Sequence, residues 1–213
     1  MRLRPVMIIA DLVRAGAFLV LARMAAGTPP GILAILAISF LVGTFAATFT
    51  SALFSFVPVV VKPGMLGTAN ARVALTQQVA FVVGPALGGF IVSLWDYTTA
   101  FALNSLTFLI SALSIALIGS AARAERAERG TYWTEAKEGF AYLWEEQHLR
   151  LLTVSGAISI FVLGFLESII ILIGTDIFGI TDTAELSLLF VASGIGGVAG
   201  ALSAGSLGRL IGI

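Results

Sequence analysis

The 213-residue sequence has no cysteine, a single histidine and only 11% charged residues, where a soluble domain carries about 25% charged residues. Without cysteine there are no disulfides and no thiolate metal sites, and His148 alone cannot build a histidine cluster, so neither a metal nor another cofactor is expected. A formal net charge of zero gives none of the basic excess that draws a protein to nucleic acid. The shortage of charge also rules out a water-facing shell. What the chain has instead is apolar surface, with 58% hydrophobic residues and a mean hydropathy of +1.03. Arg2 and Arg4 precede the first apolar run, but that run holds Asp11, Arg14 and Arg23 and lacks a small-residue cleavage site, unlike a removable signal peptide.

A helix needs roughly 20 mainly apolar residues to cross a bilayer. Six such runs stand out, at about 5–26, 31–57, 71–94, 98–119, 151–174 and 185–206. They are separated by Pro29-Pro30, the Pro58 to Gly67 stretch, Trp95-Asp96, a charged segment at 120–150, and Asp176 to Asp182. The runs are continuously apolar and do not alternate as barrel strands do, so the expected fold is an all-α integral membrane protein of six transmembrane helices. Basic residues set its orientation, because cytoplasmic loops retain them. With the N-terminus inside, the inner segments hold Arg2, Arg4, Lys62, Arg72, Arg123, Arg126, Arg129, Lys137, Arg150 and Arg209, and the outer turns hold acidic residues with Arg23 as their one basic residue. Both ends of the chain are thus expected on the cytoplasmic side of the cell membrane.

The expected organisation is four spans in 1–119, a cytoplasmic central loop at 120–150, and two spans in 151–213. Inside the loop Trp133, Ala136, Phe140, Leu143, Trp144 and Gln147 recur at steps of three or four. That spacing predicts an amphipathic helix lying on the inner membrane surface near anionic headgroups.

Helices in lipid approach closely where small residues face each other. The second span carries Ser39, Gly43, Ala47, Ser51 and Ser55 at steps of four, and the last carries Ser193, Gly197, Ala201 and Gly205 beside Gly196, Gly200 and Ala204. Each stripe predicts a buried face. The third span holds Gln77 and Gln78, then Gly84, Pro85, Gly88 and Gly89. A helical proline removes a hydrogen bond and crowds the carbonyl four residues back, so a bend near Ala80 and Phe81 is expected, with the glycines keeping it free of bulk. Such a segment suits a helix that pivots against a partner or seals onto it.

Ionisable groups inside a bilayer are costly and therefore candidates for function. Asp11 and Arg14, three residues apart on one face of the first span, are expected to neutralise each other; an ion pair that holds the fold is the simpler reading, a substrate contact the sharper one. Glu167 has no base in its own span, and an isolated carboxyl there is a candidate for proton exchange in a proton-coupled carrier. Asn104, with Ser105 and Thr107, offers hydrogen bonds either to a cavity or to a neighbouring helix.

Several segments carry a resemblance. The stretch RLRPVMIIADLVRA at 2–15 resembles the end of the basic inner loop and the start of the third helix in the major facilitator superfamily, in the branch of macrolide-efflux and siderophore-export permeases. GPALGG at 84–89 resembles the motif of the fifth helix of drug antiporters, and ANARVALTQQ at 69–78 its lead-in. EAKEGFAYLW at 135–144 with LRLL at 149–152 is similar to the central-loop helix and the start of the seventh helix, and GSLGRLIG at 205–212 to the second copy of the inner-loop motif. The resemblance implies helices three to eight of a twelve-helix exporter that moves amphipathic small molecules, such as drugs or siderophores, by alternating access, with protons as a coupling partner. The partners it implies are the lipid bilayer, the substrate and the remaining helices of the carrier. Ala80 stands where the antiporter pattern favours glycine. Two other readings compete: a rhomboid-like intramembrane enzyme, for which Ser193 lacks a base because His148 lies outside the spans, and a self-associating membrane scaffold.

Overall fold

The computed structural model describes residues 3–27, 31–62, 64–118 and 132–211. Pro29-Pro30 and the Arg123, Arg126 and Arg129 run lie outside the described residues. So do the side chains of Trp133 and Ala136, those of Gly200, Ala201, Ala204 and Gly205 in the last stripe, and those of the 205–212 motif. Everything described is helix or turn, with no strand. The helices are α1 (Leu3–Ala25), α2 (Ile32–Val60), α3 (Leu66–Leu94), α4 (Tyr97–Leu117), α5 (Tyr132–Glu145), α6 (Gln147–Leu172) and α7 (Thr183–Ile211), and a π turn over Ile173–Ile177 continues α6. By length and composition α1, α2, α3, α4 and α6 with its π turn can each cross a membrane; the apolar stretch of α7 with described side chains is shorter, Thr183–Ala199.

Hydropathy placed the spans well, and the shifts at their ends have local causes. α2 runs through Pro58 to Val60, and α3 starts at Leu66, because Thr68 and Asn70 are polar yet compatible with a helix. The α3–α4 break falls at Trp95-Asp96 as expected. There the Asp96 carboxylate accepts the Thr99 backbone N–H at 2.6 Å and caps α4. This bond to the Thr99 N–H holds the Asp96 carboxyl below its ordinary value of 3.8. Trp95 and Tyr97 flank the cap, both exposed, as aromatic residues do at a membrane interface. The chain turns at Gly64 and Gly179, whose φ values of 86° and 65° lie in the left-handed region.

The helices form two compact units. In the first, of α1 to α4 with α7, α1 packs antiparallel to α4 and against α2, while α3 packs against α7. Met7, Ala52, Phe56 and Ile115 close the core at one end of α1, α2 and α4. There Arg4 donates to the carbonyls of Ile115 and Ala116, so a cation sits on the C-terminal end of α4, where the helix dipole favours it.

The second unit holds α5, α6 and the π turn. α5 stops at Glu145 and α6 begins at Gln147, so Gln147 belongs to the next helix and not to the aromatic face of α5. Phe140 and Trp144 do share that face, stacked at 5.8 Å. Arg150 donates to the Trp144 carbonyl at 3.1 Å across the joint. No described residue of α6 is buried, and its apolar residues face outward all round, as suits a helix whose solvent is lipid.

Candidate functional site

The polar groups inside the spans divide into those that are satisfied and those that are not. Asp11 and Arg14 meet as the i, i+3 spacing predicts, and Asp11 is only 1% exposed. Ser111 of α4 donates its hydroxyl to the second Asp11 oxygen at 2.7 Å. The Arg14 guanidinium lies between two rings, 4.7 Å from the centroid of Phe49 on α2 and 4.5 Å from that of Phe108 on α4. The pair therefore ties α1 to both neighbours. Ser111, Phe49 and Phe108 were not singled out in the sequence, since no local spacing links them to Asp11. Higher on the same seam, buried Ser105 donates to the Ala15 carbonyl at 2.8 Å. Asn104, its neighbour, is half-buried and meets only Thr107 of its own helix, with the Thr107 hydroxyl 2.7 Å from the Asn104 carbonyl.

Glu167 behaves differently. It is half-buried in α6 and makes no hydrogen bond or ion pair among the described residues; Ser168 beside it donates to the Gly164 carbonyl of its own helix. The π turn begins six residues on, and its Thr175 hydroxyl donates to the Ile171 carbonyl at 3.1 Å. The π turn closes the C-terminal end of α6, a common place for one, and it had no sequence signal.

The contact between α3 and α7 is built on missing side chains. A Cβ at Gly89 would lie 2.5 Å from the Ser187 Cβ and Oγ and 2.9 Å from the Thr183 carbonyl oxygen. A Cβ at Gly194 would lie 2.6 Å from Val82 Cγ2 and 3.2 Å from Val82 Cα. Further along, Gln78 Nε2 is 3.6 Å from the Cβ position of Gly197. Residues 78, 82 and 89 thus oppose 197, 194 and 187, an antiparallel contact over about 16 Å at ~1.5 Å rise per residue. Within the Gly84–Gly89 motif only Gly89 makes this approach; Gly84 and Gly88 have open space where a Cβ would point. Pro85 lies inside the helix, and Gln77 is exposed. On α7 the close face runs through Ser187, Gly194 and Gly197, whereas Ser193 is exposed and Gly196 open. The α2 stripe also differs from expectation. Ser39, Gly43, Ala47, Ser51 and Ser55 stay exposed, because the larger Phe49, Ala52 and Phe56 face packs on α1 and α4. Ser39 and Gly43 instead border a cleft of about 1010 Å³ between α1, α2 and the start of α4.

The sequence has relatives among known proteins. The chain is 24% identical over 208 residues to Macrolide efflux protein A of Streptococcus pyogenes, covering 97% of this chain and 51% of that one. It is also 24% identical to Macrolide efflux protein A of Enterococcus faecalis, with 97% and 64% covered. The chain thus spans about half the length of the curated relatives it matches. No solved structure matches it significantly. The Major Facilitator Superfamily model matches residues 1–213, every residue of the chain. With membrane-spanning helices throughout and a family match of that extent, this multi-pass membrane protein belongs to the Major Facilitator Superfamily, a family of transporters and not of enzymes.

Proposed function

We propose that this chain forms part of a secondary-active exporter that moves amphipathic small molecules, of the drug or siderophore kind, out of the cell by alternating access. The observation that carries this reading is the family match over residues 1–213. The two relatives named for macrolide efflux support export as the direction and a drug-like molecule as the cargo. In this reading the protein sits in the plasma membrane with both chain ends in the cytoplasm, consistent with the basic residues on one side of the spans. The organisation is four spans in 1–119, an inner loop at 120–150 with α5 at the membrane surface, and two spans in 151–213, completed by further helices of the carrier.

The roles divide among the polar and small residues. Gly84, Pro85, Gly88 and Gly89 form the pivot: Gly89 sets the close contact with α7, and Pro85 leaves α3 one backbone hydrogen bond short beside it. Gln77, Gln78 and Asn104 are candidates for substrate contact, because their amides have no partner outside their own helices among the described residues. Glu167 is the proton site, supported by its place in an apolar span and its lack of a partner. Asp11 and Arg14 tie α1 to α2 and α4 and are not themselves carriers of the proton.

Everted membrane vesicles containing the protein test this. They should accumulate a labelled macrolide when a proton gradient is imposed, and a protonophore should abolish the uptake. Glu167→Gln should remove the dependence on the gradient. Vesicles that accumulate nothing would sink the transport reading; uptake unchanged in Glu167→Gln would remove Glu167 alone.

A further inference from the structure

The cleft between α1, α2 and the start of α4 belongs to neither the α3–α7 contact nor Glu167. It measures about 1010 Å³, at the upper end of the range for small-molecule sites, roughly 300–1,000 Å³. Its walls are mostly apolar and partly aromatic, with Phe18, Tyr97 and Phe101 on one side and Ile35 and Ile38 on the other. The rings are fixed in place. Phe18 lies 6.1 Å from Phe101, tilted against it, and is backed by Phe108 stacked at 5.6 Å behind the wall.

Among the described residues one charged residue lines this space, Asp96. Its carboxylate is already engaged by the Thr99 N–H, which keeps it ionised through the physiological range. No basic residue among the described ones lines the cleft to offset it. Arg14, one turn below Phe18, is paired with Asp11 and covered by Phe108, and Arg23 of α1 is not part of the wall. The start of α4 would by itself attract an anion, but Asp96 occupies that position and repels a second negative charge. Aromatic faces beside a lone carboxylate select the opposite ligand, a cation with an apolar body.

We propose that this cleft binds a free amphipathic organic cation, its apolar body against Phe18, Tyr97 and Phe101 and its charge beside Asp96. The proposal deepens the transport reading, on which it rests only for calling such a molecule cargo. Access on the α2 side depends on Gly43, where a Cβ would meet nothing within 4 Å, so a larger side chain there enters the cleft without disturbing the backbone.

Two ions of one shape and opposite charge test it, tetraphenylphosphonium and tetraphenylborate. Their binding to the purified chain in lipid nanodiscs is measured at equilibrium, with empty nanodiscs subtracted. Tetraphenylphosphonium should bind and tetraphenylborate should not. Asp96→Asn, which still caps α4, should weaken the phosphonium roughly fivefold, the scale of an exposed charge contact. Gly43→Leu should abolish binding. Equal binding of both ions, or phosphonium binding unchanged in either variant, overturns the proposal. So does phosphonium binding that appears only when amine-bearing lipids are left out of the nanodisc, since a lipid headgroup is then the occupant. No gradient is involved, so a failure of vesicle uptake leaves this result standing, and a failure here leaves the transport reading standing.

Discussion

Replacing Asp11 by asparagine keeps the shape of the side chain and an acceptor for Ser111 but leaves Arg14 without a counter-charge inside the bilayer. Breaking one partner of a buried pair costs about 3–5 kcal/mol, and an unpaired arginine at mid-span costs about 2.5–3.5 kcal/mol on insertion scales. Phe49 and Phe108 lie on the guanidinium at 4.7 and 4.5 Å in parent and variant alike, so their attraction cancels from the difference. The predicted net destabilisation for Asp11→Asn is therefore about 3 kcal/mol. Removing both charges together, in Asp11→Asn with Arg14→Met, takes away the uncompensated ion and should cost less than the sum of the two single changes by at least about 1 kcal/mol. Unfolding in mixed micelles, followed by far-UV circular dichroism, measures all four members of the cycle. A single Asp11→Asn variant within 0.5 kcal/mol of the parent (about the scatter of a neutral surface change), or a strictly additive cycle, would refute the claim that this pair holds α1 in place.

Two further outcomes follow from the same geometry. Gly89→Ala should destabilise the α3–α7 contact by about 1–3 kcal/mol through overpacking, whereas Gly88→Ala, with open space ahead of its Cβ, should be neutral or stabilise α3 by up to about 1 kcal/mol; equal effects in the micelle assay would argue against the contact. Ser187→Gly should relieve the Gly89→Ala variant only in part, because the Thr183 carbonyl oxygen remains 2.9 Å from the new methyl. Asp96 gives a pH-dependent outcome. Its carboxyl is held below 3.8 in the fold, so its contribution to capping is present above that value and is lost as pH falls through the lower folded value. The Thr99 amide resonance should therefore titrate with a midpoint under 3.8, and a midpoint above it would contradict the cap.

Some of this was legible in the sequence and some was not, for identifiable reasons. Spans are fixed by runs of apolar residues, a local property, so the five helices long enough to cross a membrane could be placed to within a few residues, and the sixth expected run corresponds to the shorter apolar stretch Thr183–Ala199 among the described residues. Asp11 with Arg14 was also local, three positions apart on one helix. Ser111, 100 residues away, joins them only because α4 packs antiparallel on α1. The same applies to the glycines. Gly84, Gly88 and Gly89 look equivalent in the string, and only the approach of Ser187 singles out Gly89. On α2 the small stripe suggested a packed face, yet Phe49 and Phe56 won, since larger side chains fill the space against α1 and α4. The π turn could not be read, because Ile173, Gly174, Thr175, Asp176 and Ile177 are only weak helix formers and nothing in them marks the wider hydrogen-bond spacing.

The two seams of the first unit differ in how they resist sliding. Along α1 and α4, Arg4, Asp11 with Ser111, and Ser105 cross the gap as polar rivets, each fixed to one depth and one rotation. Between α3 and α7 the close points at Gly89, Val82 and Gly194 are steric, and the Ser187 hydroxyl turns back to the Ala184 carbonyl of its own helix. A riveted seam transmits torque as a rigid plate does; a smooth one acts as a slip plane, where, among the described residues, a helix can shift or roll without first breaking a bond. Movement within the unit should therefore concentrate at α3–α7 while α1 and α4 travel together.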